Sequence, residues 1–213
     1  MKFFSFYKAL LFLAGLYPLC RLLWFGFNAQ LGANPIEFIT RSLGTWTLVF
    51  LLVTLSISPL RQLSGWHSLI KLRRMLGLFA FFYAALHFIT YIWLDQFFDW
   101  SAIYKDVINR PFITVGFSAF VLLIPLAVTS THAMMKKLGG KRWQLLHKLV
   151  YPSAIFAVLH YWWLVKKDLT QPLIYAAILS CLLGYRIWMA QAKKLFSPTT
   201  AAKPKAMQGK ITA

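Results

Sequence analysis

Runs of roughly 20 apolar residues follow one another along most of the chain, each long enough to cross a hydrocarbon core of about 30 Å as a helix. Six can be marked off, at about residues 6–27, 43–60, 75–94, 112–130, 143–165 and 172–190 of 213. Backbone amides in hydrocarbon find no water, so each run must satisfy its own hydrogen bonds, which a helix does and an open strand does not. The expected fold is an all-α membrane protein, a bundle of six transmembrane helices.

Charge placement gives the expected topology. The chain is 59% hydrophobic and 13% charged, against roughly 25% charged in a soluble domain. Its net charge of +18 invites a nucleic-acid reading, but the basic residues fall between the apolar runs, so they are topology signals and no nucleic-acid partner is expected. One set of loops carries Arg61, Lys71, Arg73 and Arg74, then Lys136, Lys137, Lys141 and Arg142, then Lys193, Lys194, Lys203, Lys205 and Lys210. The opposite set carries only Arg41, Lys105, Arg110, Lys166 and Lys167, together with all five acidic residues, Glu37, Asp95, Asp99, Asp106 and Asp168. The positive-inside rule then places both termini in the cytoplasm of a multi-pass protein of the plasma membrane.

Several classes drop out. Lys2 and Lys8 before an apolar run ending at Cys20 resemble a secretory signal, but bulky Tyr17, Pro18 and Leu19 stand where cleavage needs small residues, so an uncleaved first helix is expected. Cys20 and Cys181 form no C-x-x-C or zinc pattern, and the C-x-x-C-H haem attachment motif is absent, so any haem is of the non-covalent b type. No nucleotide-binding glycine pattern, hydrolase triad or phosphate loop appears. Loops under about 20 residues leave no room for a soluble domain, so any electron donor or acceptor must be another molecule. The expected organisation is a membrane domain over 1–196 and a disordered cytoplasmic tail over 197–213, where Pro198, Pro204 and scattered lysines occur.

The five histidines carry most of the chemistry. His67 and His132 fall in basic loops and read as solvated. His87 and His160 lie inside apolar runs, where an ionisable side chain is costly and usually has a partner or a function. A neutral imidazole nitrogen binds haem iron axially, and facing helices of a bundle can clamp the macrocycle. At 1.5 Å per residue, His87 lies roughly 20 Å beyond Arg74, and His160 roughly 25 Å beyond Trp143, so the two are expected at similar height as a bis-histidine pair. His147 lies near the basic surface, with Arg74 at the matching height on the third helix. Both intervals, Arg74 to His87 and His147 to His160, are 13 residues. A second, inner level is therefore expected, where a guanidinium and one histidine could hold a flavin, a quinone or a second haem. A straight helix would set His147 and His160 about 140° apart, and Pro152 between them is the expected site of a kink. A competing reading is a transporter or proton pathway using the buried histidines. The lack of any carboxylate within the apolar runs weighs against it.

The segments Arg73-Arg74-Met75-Leu76-Gly77-Leu78, Leu86-His87, Thr129-Ser130-Thr131, Trp143-Gln144-Leu145-Leu146-His147, Tyr151 and His160-Tyr161 together resemble the MsrQ (YedZ) family of the ferric reductase-like transmembrane superfamily. The likeness extends to Gly32-Ala33-Asn34-Pro35 and Pro172-Leu173-Ile174-Tyr175, and so covers nearly the whole chain. The resemblance implies a bacterial inner-membrane protein that carries haem b, is associated with flavin mononucleotide (FMN), and is itself a non-catalytic electron-transfer subunit. It implies delivery of electrons, from the quinone pool or a cytosolic flavin reductase, to MsrP, a periplasmic molybdopterin enzyme that reduces methionine sulfoxide in oxidised proteins and with which it forms a heterodimer. His87, His147 and His160 match the family's histidine positions, whereas Arg74 stands where many superfamily relatives carry a fourth histidine.

Overall fold

The computed structural model describes residues 2–165 and 167–196, with side chains for 6–165 and 167–192. The expected tail over 197–213 lies outside the described residues. Nine α-helices follow in order among them: α1 (Lys2–Phe27), α2 (Pro35–Ser64), α3 (Arg73–Thr90), α4 (Trp100–Asn109), α5 (Pro111–Val128), α6 (His132–Leu138), α7 (Gly140–Leu146), α8 (Val150–Leu164) and α9 (Thr170–Phe196). No strand occurs among the described residues. Five segments are long and apolar enough to cross a membrane: Phe6–Phe27, Pro35–Ser64, His67–Asp95, Pro111–Val128 and Thr170–Ala192. The remaining apolar run, expected over 143–165, is divided. α7 ends at Leu146, a 3-10 turn covers His147–Leu149, and α8 continues for 15 residues.

The cause of that division is Pro152. A proline ring collides with the carbonyl four residues earlier, here Lys148, in the middle of the 3-10 turn. The disruption thus falls one turn ahead of the proline, and α8 begins at Val150, so the missing Pro152 N–H is among first-turn groups that need no intrahelical partner. Three steps of about 120° in place of 100° also reduce the angle between His147 and His160 from about 140° to about 80°.

Other boundaries follow from capping. α2 begins eight residues before the apolar run expected from 43, because Pro35 stands in its first turn and the Asn34 side chain accepts the Glu37 N–H at 3.2 Å. Glu37 then pairs with Arg41 at 2.7 Å on the exposed first turns. α4 was expected to be loop. Asp99 caps it by accepting the Ser101 and Ala102 N–H groups at 3.0 Å each, and Trp100, Tyr104 and Ile108 form an exposed stripe at helical spacing. That stripe was the signal for a short amphipathic helix, of the kind that lies at a membrane surface.

The bundle is organised around two tightly packed pairs, α2 with α3 and α5 with α8, joined through α3 and α5. Small residues let the backbones approach, with Ala80 and Ala154 fully buried. Ser153, also fully buried, donates to the Ala119 carbonyl across the α5–α8 seam at 3.0 Å. Leu51, Leu55 and Tyr83 form the centre of the core, whereas α1 and α9 expose large apolar side chains such as Leu13, Trp24, Ile174 and Ile187.

Tyr83 fastens α1 to the bundle. Its hydroxyl donates to the Gly15 carbonyl at 2.8 Å and accepts the Leu19 N–H at 3.2 Å, bridging two groups that would bond each other in an unbroken helix. Pro18 stands beside them and perturbs that turn. Gly15 is needed for the approach, since a Cβ there would lie 2.6 Å from the Phe79 ring. Tyr83→Phe leaves both backbone groups without their partner and is expected to lower stability by about 1–3 kcal/mol, read as an earlier thermal transition by circular dichroism in detergent.

Candidate haem site

The structure brings His87 of α3 and His160 of α8 together, with ring centroids 6.2 Å apart and planes at 73°. Each ring is held by a backbone carbonyl of a neighbouring helix. His87 Nδ1 lies 2.9 Å from the Thr40 carbonyl on α2, and His160 Nδ1 lies 2.7 Å from the Phe112 carbonyl on α5. A carbonyl only accepts, so Nδ1 carries the proton in both rings and Nε2 keeps its lone pair. Such second-sphere bonds fix the tautomer and raise the basicity of a ligating imidazole.

Four residues beyond each carbonyl stands a glycine against the same ring. A Cβ at Gly44 would lie 3.1 Å from His87 Cε1, and a Cβ at Gly116 would lie 2.6 Å from His160 Nδ1 and 2.9 Å from its Cγ. The two halves of the site therefore share one construction: a carbonyl, a glycine one turn on, and an imidazole from the partner helix lying in the gap. None of Thr40, Gly44, Phe112 or Gly116 was anticipated from the sequence. The available signal was a glycine inside each of two strongly apolar helices, where it costs about 1 kcal/mol relative to alanine and so calls for a close approach.

The spacing passes a simple test for haem. Two metal–imidazole bonds of about 2 Å, with about 1 Å from each nitrogen to its ring centroid, require roughly 6 Å between centroids. The observed 6.2 Å meets that requirement. Among the described residues, no group of three or more His, Cys, Asp or Glu side chains is placed to hold a bare metal ion. Two imidazoles alone match haem iron, whose remaining four ligands come from the porphyrin.

His147 stands apart from this pair. Its ring stacks on Trp143 at 3.8 Å, and Nδ1 lies 3.0 Å from the Trp143 carbonyl. Its Nε2 is buried and makes no hydrogen bond of good geometry, with the Leu126 carbonyl also acting on the ring. The guanidinium within electrostatic reach of His147 is that of Arg73. Arg74, expected at this level, is exposed, because one residue further along a helix turns the side chain by about 100°. His67 and His132 are both exposed.

Two histidines brought together from separate helices of an apolar bundle are an arrangement that suits a haem-binding membrane protein of the ferric reductase type. The chain matches the family described as "Ferric reductase like transmembrane component" over residues 42–158, a stretch that includes His87 and His147 and stops two residues short of His160. A protein of Herminiimonas arsenicoxydans named protein-methionine-sulfoxide reductase heme-binding subunit MsrQ is 61% identical over 189 residues, covering 88% of this chain and 87% of its own. Proteins of the same name from Bordetella parapertussis and Xanthomonas euvesicatoria are 57% and 47% identical, over 84% and 92% of this chain and 88% and 90% of their own. The chain belongs to the MsrQ family, within the ferric reductase-like transmembrane superfamily.

Proposed function

We propose that this chain is the haem-binding, electron-transferring membrane subunit of a methionine sulfoxide reductase system. The observation that carries the reading is the His87–His160 pair, set at the separation a bis-imidazole iron requires and locked in the tautomer that leaves both Nε2 atoms free. In this reading His87 and His160 would hold haem b, Thr40 and Phe112 orient the rings, and Gly44 and Gly116 leave room for them. When bound, haem would supply a one-electron Fe(III)/Fe(II) couple within the bundle.

The finer assignments follow from topology and family. α7 and α8 together form a sixth span, both termini face the cytoplasm, and the protein sits in the bacterial inner membrane with the His87–His160 level nearer the periplasm. His147, with Arg73 beside it, belongs to an inner level that holds FMN, a quinone or a second haem. The quinone pool or a cytosolic flavin reductase is the donor, and a periplasmic molybdopterin reductase of the MsrP type is the acceptor. In support, the five carboxylates fall in one alternating set of loops between the apolar runs and most of the lysines and arginines in the other.

Absorbance and cofactor extraction on the purified full-length protein test this. At least one non-covalently bound haem b per chain is expected, with a low-spin spectrum. Protein that folds and carries no haem band would end the reading.

A further inference from the structure

A pocket of about 300 Å³ lies at the basic end of the bundle, between the last turns of α2, the start of α8 and the far part of α9, away from the paired histidines. Ser58, Gln62, Tyr151, Tyr185, Arg186 and Met189 line it. Arg186 is the centre of its chemistry. One terminal nitrogen donates to the Tyr151 hydroxyl at 2.7 Å, and the other donates to the Leu55 carbonyl at 2.7 Å. The guanidinium also lies 5.2 Å from the centre of the Tyr151 ring. Its Nε is buried and has no partner.

These contacts orient the guanidinium without neutralising it. Arg73 is close enough to feel the charge of both Arg186 and Arg61, so three cations share this end. The five carboxylates are engaged or placed elsewhere. Glu37 and Asp106 pair with Arg41 and Arg110, Asp99 caps α4, and Asp95 contacts Gln96. Asp168 caps α9, and Arg186 lies 18 residues further on, or roughly 27 Å along that helix. A guanidinium fixed in place, partly desolvated and lacking an internal counterion is costly unless an anion arrives from outside.

We propose that this pocket binds a phosphate-bearing anion, with Arg186 as its principal donor and Ser58 and Gln62 at its rim. Guanidinium forks match phosphate oxygens, and the pocket lies only a turn or two inside the end of α2, the level at which lipid headgroups and soluble phosphate esters both meet a membrane protein. The assignment is independent of haem binding at the paired histidines, so either can fail without the other.

The test uses the full chain, purified in detergent with its cofactors. Extraction with organic solvent followed by phosphorus assay reads bound phospholipid, and thermal stability is measured with phosphatidylglycerol micelles or with inorganic phosphate. Co-purifying lipid phosphorus and stabilisation by phosphatidylglycerol assign the source to a headgroup, whereas stabilisation by inorganic phosphate alone assigns it to a soluble phosphate. Arg186→Gln should weaken binding by about tenfold or more. Ala190→Phe, one helical turn beyond Arg186, fills the pocket from its exposed edge while keeping the arginine; it should abolish binding and decides the matter if Arg186→Gln does not fold. Lys136→Gln with Lys137→Gln, on an exposed basic turn, should leave it unchanged. The proposal is overturned if neither probe acts on the wild type and no phosphorus co-purifies, or if Ala190→Phe binds as the wild type does.

Discussion

His87→Ala and His160→Ala are each expected to remove the low-spin haem spectrum from the purified protein, with haem content falling by at least about tenfold. The expectation rests on how little else the site offers. Each imidazole presents a single free nitrogen, because the other is committed to a backbone carbonyl at 2.9 Å or 2.7 Å. The second-sphere bonds of metal-ligating histidines are themselves worth about 10- to 100-fold in affinity, so loss of the ligand should cost no less. The helices should persist, since their packing depends on Leu51, Leu55, Ala80 and Ala154 rather than on the half-buried rings. His67→Ala and His132→Ala serve as controls and should retain the spectrum, because both side chains are exposed. An unchanged spectrum in either His87→Ala or His160→Ala would show that iron is held elsewhere.

The second large effect is expected from a substitution that adds one methyl group. Gly116→Ala places a Cβ 2.6 Å from His160 Nδ1 and 2.9 Å from Cγ at the base of the ring, where rotation about the side chain gives little relief. The ring must leave its position and with it the Phe112 carbonyl. Haem occupancy should fall by about 10- to 100-fold, or the remaining haem should show shifted electron paramagnetic resonance g values as the imidazole planes reorient. Gly44→Ala should do the same more weakly, since its closest approach to His87 is 3.1 Å. Alanine is the better helix former by about 1 kcal/mol, so the helical content of the apoprotein should not fall. A Gly116→Ala protein with native haem content and g values would remove Gly116 from the site.

Much of the fold was legible because bilayer thickness sets the length of an apolar run and burial forbids unpaired amides. Five of the expected runs correspond to continuous membrane-length helices. The sixth was legible as an apolar run but not as two segments, because the effect of Pro152 is felt at Lys148 and sequence reasoning placed the kink between the histidines without that offset. α4 was missed because a helix of ten residues carries its signal in three exposed side chains rather than in an apolar run.

The site was legible in part for a different reason. Counting residues from a basic marker estimates depth, and it set His87 and His160 at one height, where the rings indeed meet. Counting cannot give azimuth to better than a residue, which is why Arg74 was named where the structure presents Arg73 to His147. The carbonyls of Thr40 and Phe112 leave no trace in side-chain identity at all. Arg186 went unremarked although it lies inside the run marked at 172–190, where a charged side chain is itself a signal; its orphaned Nε makes that signal plain.

The turn at His147–Leu149 has a mechanical consequence. His147 is carried by the segment that leads out of the basic loops, stacked on Trp143, whose indole nitrogen is tied to the Thr129 carbonyl at 2.9 Å. His160 is carried by a separate helix anchored to α5 through Ser153. Both levels therefore hang from α5, the lower at its C-cap Thr129 and the upper through Ala119, so a displacement of that helix would act on both, with the turn at His147–Leu149 as the joint between them.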